Sequence, residues 1–125
     1  MTEDVDDQRA VAPETGIARL RERALAYPET REDFPWGEPA YKVRDKVFVF
    51  LAVLDGTVRF TAKLPRSRDF ALEYPFTAPT GYGLGRSGWV TAEFPPGEPL
   101  PLDLLTGWMD ESYRAVAPKA LVGRL

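Results

Sequence analysis

Lys46–Lys63, KVFVFLAVLDGTVRFTAK, decides the fold. Asp55-Gly56 sits between two runs rich in β-branched and aromatic residues. That is the pattern of a β-hairpin closed by a two-residue turn with positive φ at its centre. The turn sets the register. Leu54 falls opposite Thr57, Ala52 opposite Arg59, Phe50 opposite Thr61 and Phe48 opposite Lys63. Because side chains alternate along a strand, the two faces separate. One face carries Val47, Val49, Leu51, Val53, Val58, Phe60, Ala62 and Leu64, and is predicted to be core. The other carries Phe48, Phe50, Ala52, Arg59, Thr61 and Lys63, half apolar and half basic. Two readings fit that second face, a slipped register being the third alternative. A helix or loop covers the phenylalanines while the stems of Arg59 and Lys63 pass beside it. Alternatively the face is an open platform where aromatic rings stack and cations meet an anion.

Outward from the hairpin, the pattern predicts helices near both ends of the chain. Thr15–Pro28 reads as a helix, with Ile17, Leu20, Ala24 and Tyr27 at helical spacing, Thr15 as cap and Pro28 as stop. Glu29–Pro39 reads as a loop. Ala40–Arg44 reads as a short strand that turns at Arg44-Asp45. Leu64–Tyr74 suggests a loop and a short helix capped by Ser67, with Phe70 and Leu72 buried. Thr77–Gly88 is a glycine-rich loop, and Ser87–Phe94 another strand, with Val90, Ala92 and Phe94 on one side. Pro101 and Asp103 open a last helix whose stripe is Leu102, Leu105, Met109, Tyr113 and Val116, ended by Pro118. Helix, three or four strands with a helical insert, then helix indicates an α+β fold with an antiparallel sheet and a central Asp-Gly hairpin. Residues 1–14 read as an acidic, disordered lead, and residues 15–125 as one domain.

Charge and absent residue types restrict the chemistry. The chain of 125 residues has no histidine and no cysteine. This removes Ser-His-Asp and Cys-His catalysis, Cys/His zinc sites and thiol redox chemistry, so a non-enzymatic protein without metal or cofactor is expected. Without cysteine there is no disulfide framework, and the reducing cytoplasm is the expected location. The N-terminus lacks the apolar core of a secretory signal, and no apolar run approaches the roughly 20 residues that span a bilayer. The formal net charge is -3, yet residues 42–86 hold 8 basic and 4 acidic residues. That window is a solvated mixed surface or a basic stripe on an acidic protein.

Other motifs are weak singly. GYGLGRSG, Gly81–Gly88, offers backbone N–H groups to an anion but lacks the Lys-Ser/Thr pair of a phosphate loop, and a structural turn is its simpler reading. Glu29, Glu32, Asp33 and Glu38 crowd one segment with no calcium-loop spacing, and solvated acids are expected there. The adjacent Asp110 and Glu111 point apart and read as surface. Trp36, in the Trp36-Gly37-Glu38-Pro39 knuckle, reads as a lid on the sheet edge. Trp89 and Trp108 read as core or core-edge.

Taken together, YPETREDFPWGEPAYKVRDKVFVFL, SGWVTAEF and WMDESYRAVAPKAL resemble the MmcQ/YjbR-like family of small bacterial proteins, over about Gly16 to Leu121. The match lies in Trp36-Gly37, Pro39, Tyr41-Lys42-Val43, Lys46-Val47-Phe48, Gly88-Trp89-Val90 and Ser112-Tyr113. The resemblance implies a double-wing α+β fold and DNA binding, the latter by analogy of fold. Many members carry a histidine where this chain has Glu38. The expectation is DNA binding through the hairpin face by Lys42, Lys46, Arg59, Lys63, Arg66 and Arg68. The alternative is a pocket for a small anionic or aromatic ligand, lined by Trp36, Tyr41, Tyr82, Arg86 and Trp89. A protein–protein interaction module is the third possibility.

Overall fold

The computed structural model describes residues 10–125, the side chain of Trp36 apart. In chain order the elements are β1 (Ala10–Val11), α1 (Pro13–Ala26), β2 (Thr30–Asp33), β3 (Ala40–Val43), β4 (Lys46–Leu54), β5 (Thr57–Lys63), α2 (Arg68–Ala71), β6 (Thr77–Pro79), β7 (Trp89–Phe94), β8 (Leu100–Pro101), α3 (Leu102–Val116) and α4 (Lys119–Val122). Six strands form one sheet in the order β2-β3-β4-β5-β7-β6, and β1 pairs with β8 in a separate ribbon. Every pairing is antiparallel. The fold is therefore α+β, with the Asp55-Gly56 hairpin at its centre. Asp55 and Gly56 have φ of 51° and 83°, and Leu54 pairs with Thr57, as the turn chemistry requires.

Helices α1 and α3 cover one face of this sheet. Leu20, Ala24, Leu105, Met109 and Tyr113 are buried against Val49, Leu51, Val58, Phe60, Ala62, Val90, Ala92 and Phe94. The alternation read from β5 and β7 therefore holds. Along β4 it does not. Tyr41 pairs with Val49, but Lys42 pairs with Val47, so Phe48 has no partner on β3. This is a β-bulge, and it turns Phe48 toward the helices. Phe48 is fully buried edge-on against both Tyr27 and Tyr113, with ring centroids 5.8 and 5.2 Å away. Val47, expected in the core, instead lines a surface depression beside Phe50. Val53, also expected in the core, is 49% exposed, because the hairpin tip projects beyond the helical layer.

Three further expectations are corrected. Residues 30–33 form an edge strand, β2, and not a loop. Its all-polar sequence, TRED, conceals a strand but suits an unpaired edge. Helix α1 starts at Pro13, ahead of Thr15, with Pro13 in the first turn where a missing N–H costs nothing. Residues 1–9 of the expected acidic lead lie outside the described residues. Phe70 is 74% exposed, and Ala71 takes the buried position of α2.

Asp110 and Glu111 do point apart, but neither is idle surface. Asp110 accepts the Tyr27 hydroxyl at 2.9 Å and Arg114 Nε at 2.7 Å. Glu111 accepts the backbone N–H groups of Arg66 and Ser67 and the Ser67 hydroxyl. It thereby satisfies the start of α2, the role expected of the Ser67 side chain.

Candidate nucleic-acid and ligand sites

The face of the sheet away from α1 and α3 carries Phe50, Arg59, Thr61, Lys63, Trp89, Thr91 and Glu93. The β5–β7 register places Arg59 beside Glu93, Thr61 beside Thr91 and Lys63 beside Trp89. Three depressions open on it, one of about 450 Å³ at the β6 edge by Thr57, Phe76 and Glu93 and two nearer the knuckle and hairpin base. Of these two, one, of about 390 Å³, is bounded by Pro35 and Glu38 of the knuckle and by Thr80, Tyr82 and Leu84 of the glycine-rich segment. The other, of about 360 Å³, is bounded by Lys46, Val47, Phe50, Lys63, Leu84 and Trp89, with the end of α3 beside it. Phe50 and Leu84 belong to both of the latter.

The six basic residues expected to form one surface separate into distinct groups. Lys42 Nζ lies 2.8 Å from the Asp33 carboxylate. Arg59 Nε lies 3.0 Å from Glu93, and its Nη1 3.9 Å from Glu38. Arg68 donates to the Gly85 carbonyl and lies 3.4 Å from Asp69. Arg66 lies apart, beside Gly107, Glu111 and Arg114 of α3. Lys46 and Lys63 remain. Neither has a carboxylate within 4.0 Å among the described residues, and they line one depression around Phe50 and Trp89. The rings of Phe50 and Trp89 are 6.2 Å apart.

The five residues expected to line a ligand pocket also part company. Tyr41 is 2% exposed and lies on the helical side, donating its hydroxyl to Glu32. Tyr82 stands fully exposed at the rim of the 390 Å³ cleft. Arg86 is exposed in the turn between β6 and β7 and does not line that cleft. Trp89 belongs to the lysine-lined depression, and the side chain of Trp36 lies outside the described residues. The floor of the cleft was not foreseen. Thr61, Thr91 and Thr80 form a hydroxyl chain with 3.0 Å links. Its only signal in the sequence is a threonine at an outward position of each neighbouring strand, visible once β5 and β7 are known to pair.

The acids of residues 29–38 serve the fold. Arg44 holds the Glu29 carboxyl below the usual range. Arg21, ahead of the Tyr41 hydroxyl, does the same for Glu32, and Lys42 for Asp33. Asp110 is lowered as well, since its bonds from Arg114 and Tyr27 together outweigh the opposing effect of burial. Among the described residues no group of three or more acidic side chains could hold a metal ion. These four carboxyls hold protons less readily folded than unfolded. Their contribution is complete above the unfolded carboxyl pKa of about 4 and is lost as pH falls through the lower folded values. The urea midpoint should therefore hold down to about pH 5 and fall below about pH 4. A midpoint that stays flat or rises on acidification would show that these pairs do not stabilise the fold.

The YjbR family profile matches residues 25–115. The chain belongs to the YjbR family. That span runs from the end of α1 to the last turns of α3 and includes the knuckle, the hairpin, the threonine-floored cleft, all of the lysine-lined depression but Val116, and the Ser112-Tyr113 pair. No curated protein matches the chain. The YjbR assignment gives a family and agrees with the observed α+β fold. Among the described residues no helix is long and apolar enough to cross a membrane.

Proposed function

We propose that this YjbR-family chain is a non-enzymatic binding module of the cytoplasm whose open sheet face takes single-stranded DNA. One observation carries the reading: Lys46 and Lys63, without carboxylate partners among the described residues, flank the Phe50–Trp89 pair in one depression. Rings supply stacking surfaces that any base can use, and the two ammonium groups supply phosphate contacts. The other cations of the expected patch are poorer candidates. Lys42 and Arg59 must give up ion pairs to meet a phosphate, and Arg66 and Arg68 stand elsewhere. A duplex keeps its bases paired and stacked inside the helix and cannot lay one on the Phe50–Trp89 pair, so a single strand is the better partner.

Fluorescence anisotropy of a labelled oligonucleotide at several salt concentrations tests this. With two lysine–phosphate contacts, log K should fall against log salt with a slope of about -1.4 for a single strand. The Lys46→Glu, Lys63→Glu double variant should lose at least about tenfold in affinity at low salt, and Lys42→Glu much less. Equal losses in the two variants, or none in the double variant, would place the contacts elsewhere.

A further inference from the structure

We propose that the threonine-floored cleft beside the lysine depression is a separate site for an uncharged, amide-bearing aromatic ring. Phe50 and Leu84 wall both this cleft and the lysine depression, but of the two only this cleft has the hydrogen-bonding floor, which uses neither lysine.

The floor sets the hydrogen-bond chemistry. Three threonine hydroxyls carry three protons. Two are used in the Thr61–Thr91 and Thr80–Thr91 links, and the third has no acceptor among the described residues. The chain can therefore donate one O–H to an incoming carbonyl, and its spare lone pairs can accept an N–H. A carboxamide offers both partners. Thr61 is only 5% exposed, so the floor is held by the sheet and does not have to be organised on binding.

The walls set the shape and charge. Phe50, Pro35, Leu84 and the rim residue Tyr82 give apolar surface for a flat ring, in a volume within the range of small-ligand sites. The charged lining is Arg59, Glu38 and Glu93, one positive and two negative groups. Arg59 is already turned to both carboxylates. An anion would face that surplus of negative charge and would have to break the Arg59 pairs. The cleft thus selects against the anionic ligands suggested by the glycine-rich loop.

Benzamide and benzoate are nearly isosteric and differ in charge, so they serve as probes. In ¹H–¹⁵N NMR titrations of the full chain, benzamide should give saturable shifts at Thr61, Thr80 and Thr91. Benzoate should bind at least tenfold more weakly. Thr91→Val removes the central hydroxyl at constant shape and should cost benzamide at least fivefold. If that variant loses its folded spectrum, Thr80→Val at the rim should show the same direction of change. Lys46→Glu, Lys63→Glu should leave benzamide binding intact, which separates this site from the DNA-binding one. Benzoate binding as tightly as benzamide, or no saturable benzamide shift in the cleft, would overturn the proposal.

Discussion

Phe48→Ala should destabilise the protein by about 4 kcal/mol, the loss typical of a fully buried phenylalanine truncated in a packed core. Phe48 has no exposed surface and meets Tyr27 and Tyr113 edge-on, while those two rings stack on each other at 4.4 Å. The cavity would open between α1, α3 and the sheet, where three elements hold one another in place and little can collapse to fill it. Phe50→Ala, on the open face, should cost roughly 1 kcal/mol, and Phe70→Ala less than about 0.5 kcal/mol. Urea midpoints of the three variants at neutral pH check this order. A strictly alternating β4 would give the opposite result for Phe48, so equal costs at Phe48 and Phe50 would mean that the bulge is absent.

Ser112→Ala should cost about 2–4 kcal/mol, far more than a surface serine, because two buried backbone groups lose their partner at once. The Ser112 side chain is fully buried. Its oxygen accepts the Lys63 N–H at 2.8 Å, and its hydroxyl donates to the Phe48 carbonyl. In a regular hairpin Lys63 and Phe48 would bond to each other. Here the β4–β5 pairing ends at Val49–Ala62, and the Ser112 hydroxyl is inserted in place of the next link. Helix α3 thereby supplies a side-chain rung to the sheet. The neighbouring Tyr113 hydroxyl donates to the Pro28 carbonyl at 2.8 Å, tying the same helix to the end of α1. Ser112→Ala should lower the midpoint with the slope of the urea transition unchanged. A change under about 0.5 kcal/mol would mean that water replaces the hydroxyl without loss.

The hairpin was legible because a two-residue turn is local. Asp55-Gly56 fixes its own φ values, and five residues back along β4 the register still follows from it. The departure at Phe48 depends on β3 and α3, which no pattern within the hairpin encodes. Likewise β2 was illegible because an edge strand must satisfy the backbone of one neighbour only, and its side chains need not alternate. The charge window over residues 42–86 misled for a related reason. Asp33, Glu38 and Glu93, the acids that neutralise Lys42 and Arg59, all lie outside it in sequence and across the sheet in space. What remained readable was the pairing of basic and aromatic residues on one face, because alternation along β5 puts Arg59, Thr61 and Lys63 together whatever covers them.

The most direct measurement is an NMR titration with a short single-stranded oligonucleotide at low salt, read at the indole N–H signals. Trp89 lines the lysine depression, whereas Trp108 is 7% exposed on α3. Binding through the open face should shift the Trp89 indole and the backbone signals of Lys46, Phe50 and Lys63, leave Trp108 unmoved, and fade as salt is raised. Shifts centred on α1 and α3, or no shift at any of these positions at low salt, would contradict DNA binding by this face.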